Sequence, residues 1–161
     1  MISLDFLEKV DVFKKLDDQQ LQMIQECAEI VEFSRGERIF AQGADAVNVW
    51  IIMDGDVELR AEKPGSRPAA GKKNVAFLST AQAFGWTCFV PPHRYQLSGY
   101  CASRTCQVIR LSREDLLRLF EKDEDLGFHV MSYLIEVVGT QFQQLQDEIA
   151  KKRGIELMSN W

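Results

Sequence analysis

Histidine is scarce in this chain: His93 and His129 are the only two. Without an HxH pair, the metal-bearing active sites that small β-barrels build from such pairs are excluded. No GxSxG, GxGxxG, HExxH or phosphate-cradling P-loop is present either. No catalytic constellation is left, so the chain reads as a non-enzyme. The four cysteines, Cys27, Cys88, Cys101 and Cys106, form no CxxC pair and no zinc-finger spacing, and they read as free thiols in a reducing compartment. Basic charge is short as well. Nineteen Lys and Arg against 24 Asp and Glu leave a net charge of −5, the wrong sign for a surface that must release counterions from nucleic-acid phosphates. No apolar run reaches the roughly 18–20 residues that cross a bilayer, and the acidic start MISLDFLEKVD lacks the layout of a signal peptide. The expected setting is cytoplasmic, away from membranes.

What is present is the balance of a soluble domain: 46% hydrophobic and 27% charged residues over a length of 161, enough to bury one core without disulfides or metal. Residues 1–30 read as helical, with Asp17 as an N-cap answered by Gln20 three residues on. From Ile30 to about Leu111 the period changes to short apolar or alternating runs separated by Gly, Asn, Asp, Pro and Ser, the pattern of a sandwich or barrel. Gly36, Gly43 and Gly55 mark turns that need positive φ or close backbone approach. The stretch 63–74, KPGSRPAAGKKN, reads as a mobile hairpin tip. Asp54, Asp56 and Glu58 alternate beside a hairpin and read as its solvent face.

The helical period returns at Ser112, an N-cap with Asp115 three residues on, and continues in a long helix over 126–152. Val130, Leu134, Val138, Phe142, Leu145 and Ile149 follow at steps of three or four and form a stripe. Met131, Tyr133, Ile135 and Val137 widen it beyond what one β-domain covers. One face is therefore expected on the strands and another on a second copy of the same helix, giving a homodimer.

The order helix, strands, helix, long helix comes with a signature. The segment from Phe33 to Leu59 resembles that of cyclic nucleotide-binding domains, matching Gly36, Ile39, Gly43, the Trp50–Ile51–Ile52 strand, Gly55 and Val57 in turn. It is most similar to the effector half of CRP/FNR-type regulators. The resemblance implies one α+β domain over 1–161. An antiparallel β-roll (a double-stranded β-helix, jelly-roll-like) occupies 31–111, flanked by N-terminal helices at 1–30 and C-terminal helices at 112–152, with a tail at 153–161. It also implies a cassette loop at 84–98 that grips a cyclic phosphate. In the family, Phe-Gly-Glu opens this loop and an Arg closes it. The Glu accepts from the ribose, and backbone N–H groups with the Arg hold the phosphate.

Here the opening reads Phe84, Gly85, Trp86, and Gln96 stands where the family carries its Arg, followed by Leu97 and Ser98. Both charged ligand groups are missing. A hydrogen bond to a charged group contributes about 1.5–3 kcal/mol, so standard binding of cyclic AMP or cyclic GMP is expected to be weak or absent. Arg94 would substitute only if the loop shifted, and Trp86 is placed to fill the ribose space. In one reading the pocket takes another nucleotide-like or small-molecule ligand, with Trp86, Phe89, Tyr95 and Tyr100 as an aromatic wall and Thr87, Arg94, Gln96 and Ser98 as polar groups. In a second, those aromatics close it and the domain is a ligand-free interaction module. A third, haem or redox sensing, would draw on His93 with Cys88 or on Cys101 with Cys106, but the spacing supports no metal site. After Arg153 only GIELMSNW follows, so direct DNA binding through the family's helix-turn-helix is not expected. Regulation would then pass through an unknown protein partner.

Overall fold

Side-chain caps set the helices of the first 30 residues. In the computed structural model, which describes residues 1–62 and 74–153, Ser3 Oγ accepts from the Phe6 N–H and opens α1 (Leu4–Lys9). A 3-10 turn over Asp11–Phe13 leads to α2 (Asp18–Cys27). The expected capping box closes α2: Asp17 Oδ1 accepts from the Gln20 N–H at 2.8 Å, and Gln20 Oε1 accepts from the Asp17 N–H at 3.0 Å. Such reciprocal caps satisfy donors that a helix start otherwise leaves bare. Gln20 also reaches the far end of the chain, its Nε2 donating to Asp125 at 2.8 Å and to Asp123 at 3.3 Å.

Eight strands follow: β1 (Glu29–Ser34), β2 (Arg38–Phe40), β3 (Asn48–Asp54), β4 (Val57–Arg60), β5 (Asn74–Leu78), β6 (Ala83–Phe84), β7 (Ser98–Cys101) and β8 (Thr105–Ser112). They make two antiparallel four-stranded sheets, ordered β1-β8-β3-β6 and β2-β7-β4-β5. This is the expected α+β roll. Most of the expected loop at 63–74, and the tail beyond Arg153, lie outside the described residues.

Alternation along the strands decides which side chains enter the core. Val57, Leu59 and Cys101 pack with Trp50, Ile52, Cys106 and Val108 between the sheets. Glu58, Arg60 and Tyr100 therefore take the opposite face of the second sheet. Glu58, expected in solvent, is only 7% exposed, because the Arg60 guanidinium lies against it with Nη2 2.9 Å from Oε2. Gly55 shows why the β3–β4 turn needs glycine: its φ is +93°, and a Cβ there would sit 2.5 Å from the Thr105 carbonyl oxygen.

Ser112 Oγ accepts from the Asp115 N–H at 3.0 Å and starts α3 (Arg113–Lys122). Asp123 Oδ1 then accepts from the Leu126 N–H at 3.0 Å and starts α4 (Glu124–Arg153), two residues ahead of the expected boundary. At 30 residues α4 is about 45 Å long. Its first turns dock on the N-terminal helices, where Leu126 and Val130 join a core with Leu7, Val12, Phe13, Leu21 and Leu116.

Candidate functional site

The cassette opens as the family resemblance implies, then turns its side chains elsewhere. Phe84 is buried on β6 opposite Trp50, and Gly85, at φ +85°, leads a single 3-10 turn over Trp86–Phe89. A Cβ on Gly85 would lie 3.0 Å from Trp50 Cδ1 and 3.1 Å from the Asn48 carbonyl oxygen. The close approach that glycine permits here is to the protein's own β3.

Trp86 does not enter the roll. Its ring stacks near Phe89, centroids 6.4 Å apart, and meets Tyr133 of α4 at 6.3 Å, while Phe89 meets Phe120 of α3 at 6.0 Å. The expectation that Trp86 fills a ribose space is thus corrected: its indole joins the cassette to the long helix. Thr87 is half-buried, and its carbonyl accepts from the Val90 N–H at 3.1 Å. Cys88 is fully buried, and burial pushes its thiol up to about 12. Its carbonyl oxygen lies 2.9 Å from His93 Nδ1 and accepts from Arg113 at 3.3 Å.

The ring inside the roll is one that the sequence reading passed over. Phe40 of β2 stacks on Tyr95, centroids 4.0 Å apart and planes 17° from parallel, and lies 6.3 Å from Trp50 and 5.9 Å from Phe84. Trp50 Nε1 donates to the Tyr95 hydroxyl at 3.1 Å, and that hydroxyl donates to the Asn48 carbonyl at 3.0 Å. Burial raises the Tyr95 phenol above its ordinary value. Every polar atom of this stack has a partner, as a buried aromatic with a hydroxyl requires. Gly99 allows it: a Cβ there would be 3.0 Å from the Phe40 ring. The signal was an aromatic at the third position of the RIF strand, facing a glycine across the sheet.

At the closing end of the cassette Gln96 is exposed, its Nε2 donating to the Arg94 carbonyl at 3.3 Å. Arg94 itself donates through Nη1 to the Gly43 carbonyl at 2.8 Å and pairs with Asp45 at 3.4 Å. Its guanidinium is engaged on the β2–β3 loop. Leu97 is half-buried. Ser98 is buried and its Oγ accepts from the Gln42 N–H at 2.8 Å, a structural bond. Tyr100, expected in the pocket wall, lies on the outer face. Its hydroxyl donates to Glu62 at 2.8 Å, and Arg60 sits 4.2 Å over its ring.

The long helix also sorts its apolar residues differently from the expected stripe. Val130 and Leu134 are 1% and 7% exposed, both buried within their own chain, Val130 in the core that α4 shares with Val12 and Phe13 of the 3-10 turn and with α1–α3. They are not available to a second copy. Phe128, Ile135, Val138, Phe142, Leu145 and Ile149 are exposed. With half-buried Met131 they fall at steps of three, four, three, four, three and four, the spacing that the seam of a two-stranded coiled coil uses. A groove of about 500 Å³ runs between Asp11–Lys15 and the first half of α4, and Tyr133, which lines it, is also the residue that meets Trp86.

The metal-sensing residues do not converge. Among the described residues no three His, Cys, Asp or Glu side chains come together as a metal site. His93 is at Cys88, His129 faces Asp125 at 3.4 Å, and Cys101 faces Cys106. No described helix is long and apolar enough to cross a membrane.

Comparison with known proteins places this geometry. A cAMP-dependent protein kinase regulatory subunit of Mycosarcoma maydis is 35% identical over 80 residues, half of this chain but only 14% of that protein. Among solved structures, a Geobacter metallireducens protein provisionally named for cyclic nucleotide binding superposes with a TM-score of 0.72 at 24% identity, over 88% of this chain and 99% of its own. The sensor domain of the transcriptional regulator DNR from Pseudomonas aeruginosa gives 0.70 at 21%, over 96% and 94%. The Thermus thermophilus catabolite activator protein gives 0.69 at 18%, over 84% and 61%. At such identities the structures speak for the fold alone. The family model of the cyclic nucleotide-binding domain, however, matches residues 30–123, more than half of the chain, and this protein belongs to that family.

Proposed function

We propose that the chain is a regulatory sensor or adaptor rather than an enzyme, that it does not hold cyclic AMP or cyclic GMP in the family's usual way, and that it pairs with a second copy through α4. One observation carries the reading of the cassette. At its two charged positions stand Trp86, turned onto Tyr133, and exposed Gln96, so neither a carboxylate for a ribose nor a guanidinium for a phosphate is offered there. Arg94 is already bonded to Gly43 and Asp45. The Trp86–Tyr133 contact supports coupling: a ligand that moved the 84–98 loop would move a side chain packed on α4, and differential affinity for two helix positions is what a ligand-driven switch requires.

A melt of the purified protein with and without saturating cyclic AMP and cyclic GMP tests this reading. A ligand at about 100 times its Kd adds roughly 2.7 kcal/mol, a rise of about 5–10 °C for a chain of this size. No such rise is expected, and a rise of that size sinks the proposal. A second reading, a ligand-free interaction module, is favoured by Phe40, whose half-buried ring stacks on Tyr95 beneath the cassette.

A further inference from the structure

Cys101 ends β7 and Cys106 is the second residue of β8. The two strands are consecutive in the chain but lie in different sheets, Cys101 opposite Val57 and Cys106 opposite Phe33. At this end of the roll the sheets converge, and the two Sγ atoms are 2.6 Å apart. Backbone surrounds the pair: the Cys106 thiol donates to the Asp56 carbonyl at 2.9 Å, and the Cys101 thiol to the Ser103 carbonyl at 3.3 Å. Both thiols are buried, yet Arg104 of the turn above them and Thr105 at the start of β8 are exposed. The other two cysteines are remote from this point, Cys27 bonding back to Met23 and Ile24 on α2 and Cys88 lying in the cassette.

We propose that Cys101 and Cys106 are a redox pair, converted by a small disulfide such as oxidised glutathione into an intramolecular disulfide that fastens the two sheets together. One thiol loses its proton and attacks the small disulfide, releasing one small thiol and leaving a mixed disulfide. The other loses its proton and displaces the second small thiol. The pair gives up two electrons and two protons, the reagent takes them up as two thiols, and one S–S bond replaces two S–H bonds. Because the pair is enclosed, exchange follows opening of the short 102–104 turn, a local event that costs less than global unfolding. Burial holds the Cys101 thiol well above the ordinary range, which slows attack while the turn is closed. The tie would stiffen more than the turn. The Gly36 N–H donates to the Cys101 carbonyl at 2.9 Å, and the Arg35 N–H to the Arg104 carbonyl at 3.1 Å, so the β1–β2 connection is anchored on the same residues.

Trypsin provides a direct test, because Arg104 lies between the two cysteines. The full chain is equilibrated with oxidised glutathione, unfolded, blocked with N-ethylmaleimide and digested. The expected result is a loss of two hydrogens in intact mass before blocking, two blocked thiols where the reduced protein has four, and the peptides 95–104 and 105–110 held together until reductant is added. Cys101→Ser and Cys106→Ser should each abolish the linked pair. The wild-type map needs no variant to fold, so a failed variant leaves the test intact. Four blocked thiols, glutathione retained on either cysteine, or a linkage through Cys27 or Cys88 would each overturn the proposal.

Discussion

The ring of Phe40 lies 4.0 Å from that of Tyr95, nearly parallel to it, and occupies the space that any side chain on Gly99 would need. Strand β2 thereby supplies a wedge to the interior just below the loop that gives this family its name. Replacing Gly99 by Val should force the ring out and lower stability by about 1–3 kcal/mol, the cost of overpacking a filled core. Phe40→Ala should cost less than the roughly 3–5 kcal/mol of a fully buried Phe, because the ring is half-buried. Urea titration of both variants checks the pair, and a Gly99→Val protein as stable as wild type would contradict the packing described.

Trp86→Glu combined with Gln96→Arg restores the family's two charged groups. In wild type neither nucleotide should move the melting temperature. In the double variant, cyclic AMP should raise it by several degrees at saturation. Adding Phe40→Ala separates the explanations: if only the triple variant responds, the wedge rather than the missing charges closes the site.

Helix α4 predicts opposite phenotypes for residues one position apart. Leu134→Ala should destabilise the fold by about 2–5 kcal/mol, because Leu134 is buried in its own chain. Ile135→Glu and Leu145→Glu, at exposed seam positions, should leave folding intact and reduce the dimer to a single chain in sedimentation equilibrium. A wild-type protein that sediments as a monomer at all concentrations would remove the proposed pairing.

The Tyr100 phenol is held above its ordinary value, first by burial and then by the Glu62 carboxylate to which it donates. The folded chain therefore keeps a proton that the unfolded chain releases. This contribution to stability is whole below the ordinary phenol pKa of about 10 and is lost as pH rises through the raised folded value. Denaturant stability should fall above about pH 10, and less steeply in Tyr100→Phe. At neutral pH that variant should cost about 1–3 kcal/mol, since Glu62 loses a donor in a buried position. Equal alkaline slopes in the two proteins would assign the loss to Tyr95 and Tyr133 or to the thiols of Cys27, Cys88 and Cys101, all of which burial also raises.

Local signals were legible where one residue decides the outcome. Asp17 with Gln20, Ser112 as a cap, and positive φ at Gly36, Gly43 and Gly55 follow from backbone chemistry that neighbours cannot override. Which side of a strand or helix meets the core was less legible, because that depends on elements distant in sequence. Ser98 and Tyr100 share a strand with the cassette's end, yet alternation sends them outward. Val130 and Leu134 share a stripe with Val138, but only the first two are buried within the chain, Val130 against the N-terminal helices. Glu58 reads as solvent-facing until Arg60, two residues on, lies across it.

The side chain of Gln20 has a mechanical role that its place in a capping box does not suggest. The amide that closes the start of α2 through its oxygen also holds Asp123 and Asp125 through its nitrogen, and Asp123 is itself the cap of α4. Two helix origins more than a hundred residues apart in sequence are thus riveted at one amide. Any torque on α4, whether from the cassette through Trp86 or from a second copy along its outer half, is transmitted at its root to α2. The apolar core that Leu126 and Val130 share with Leu7 and Leu21 works in parallel with this amide, and Gln20→Ala would remove the polar part of the linkage between the N-terminal helices and the long helix.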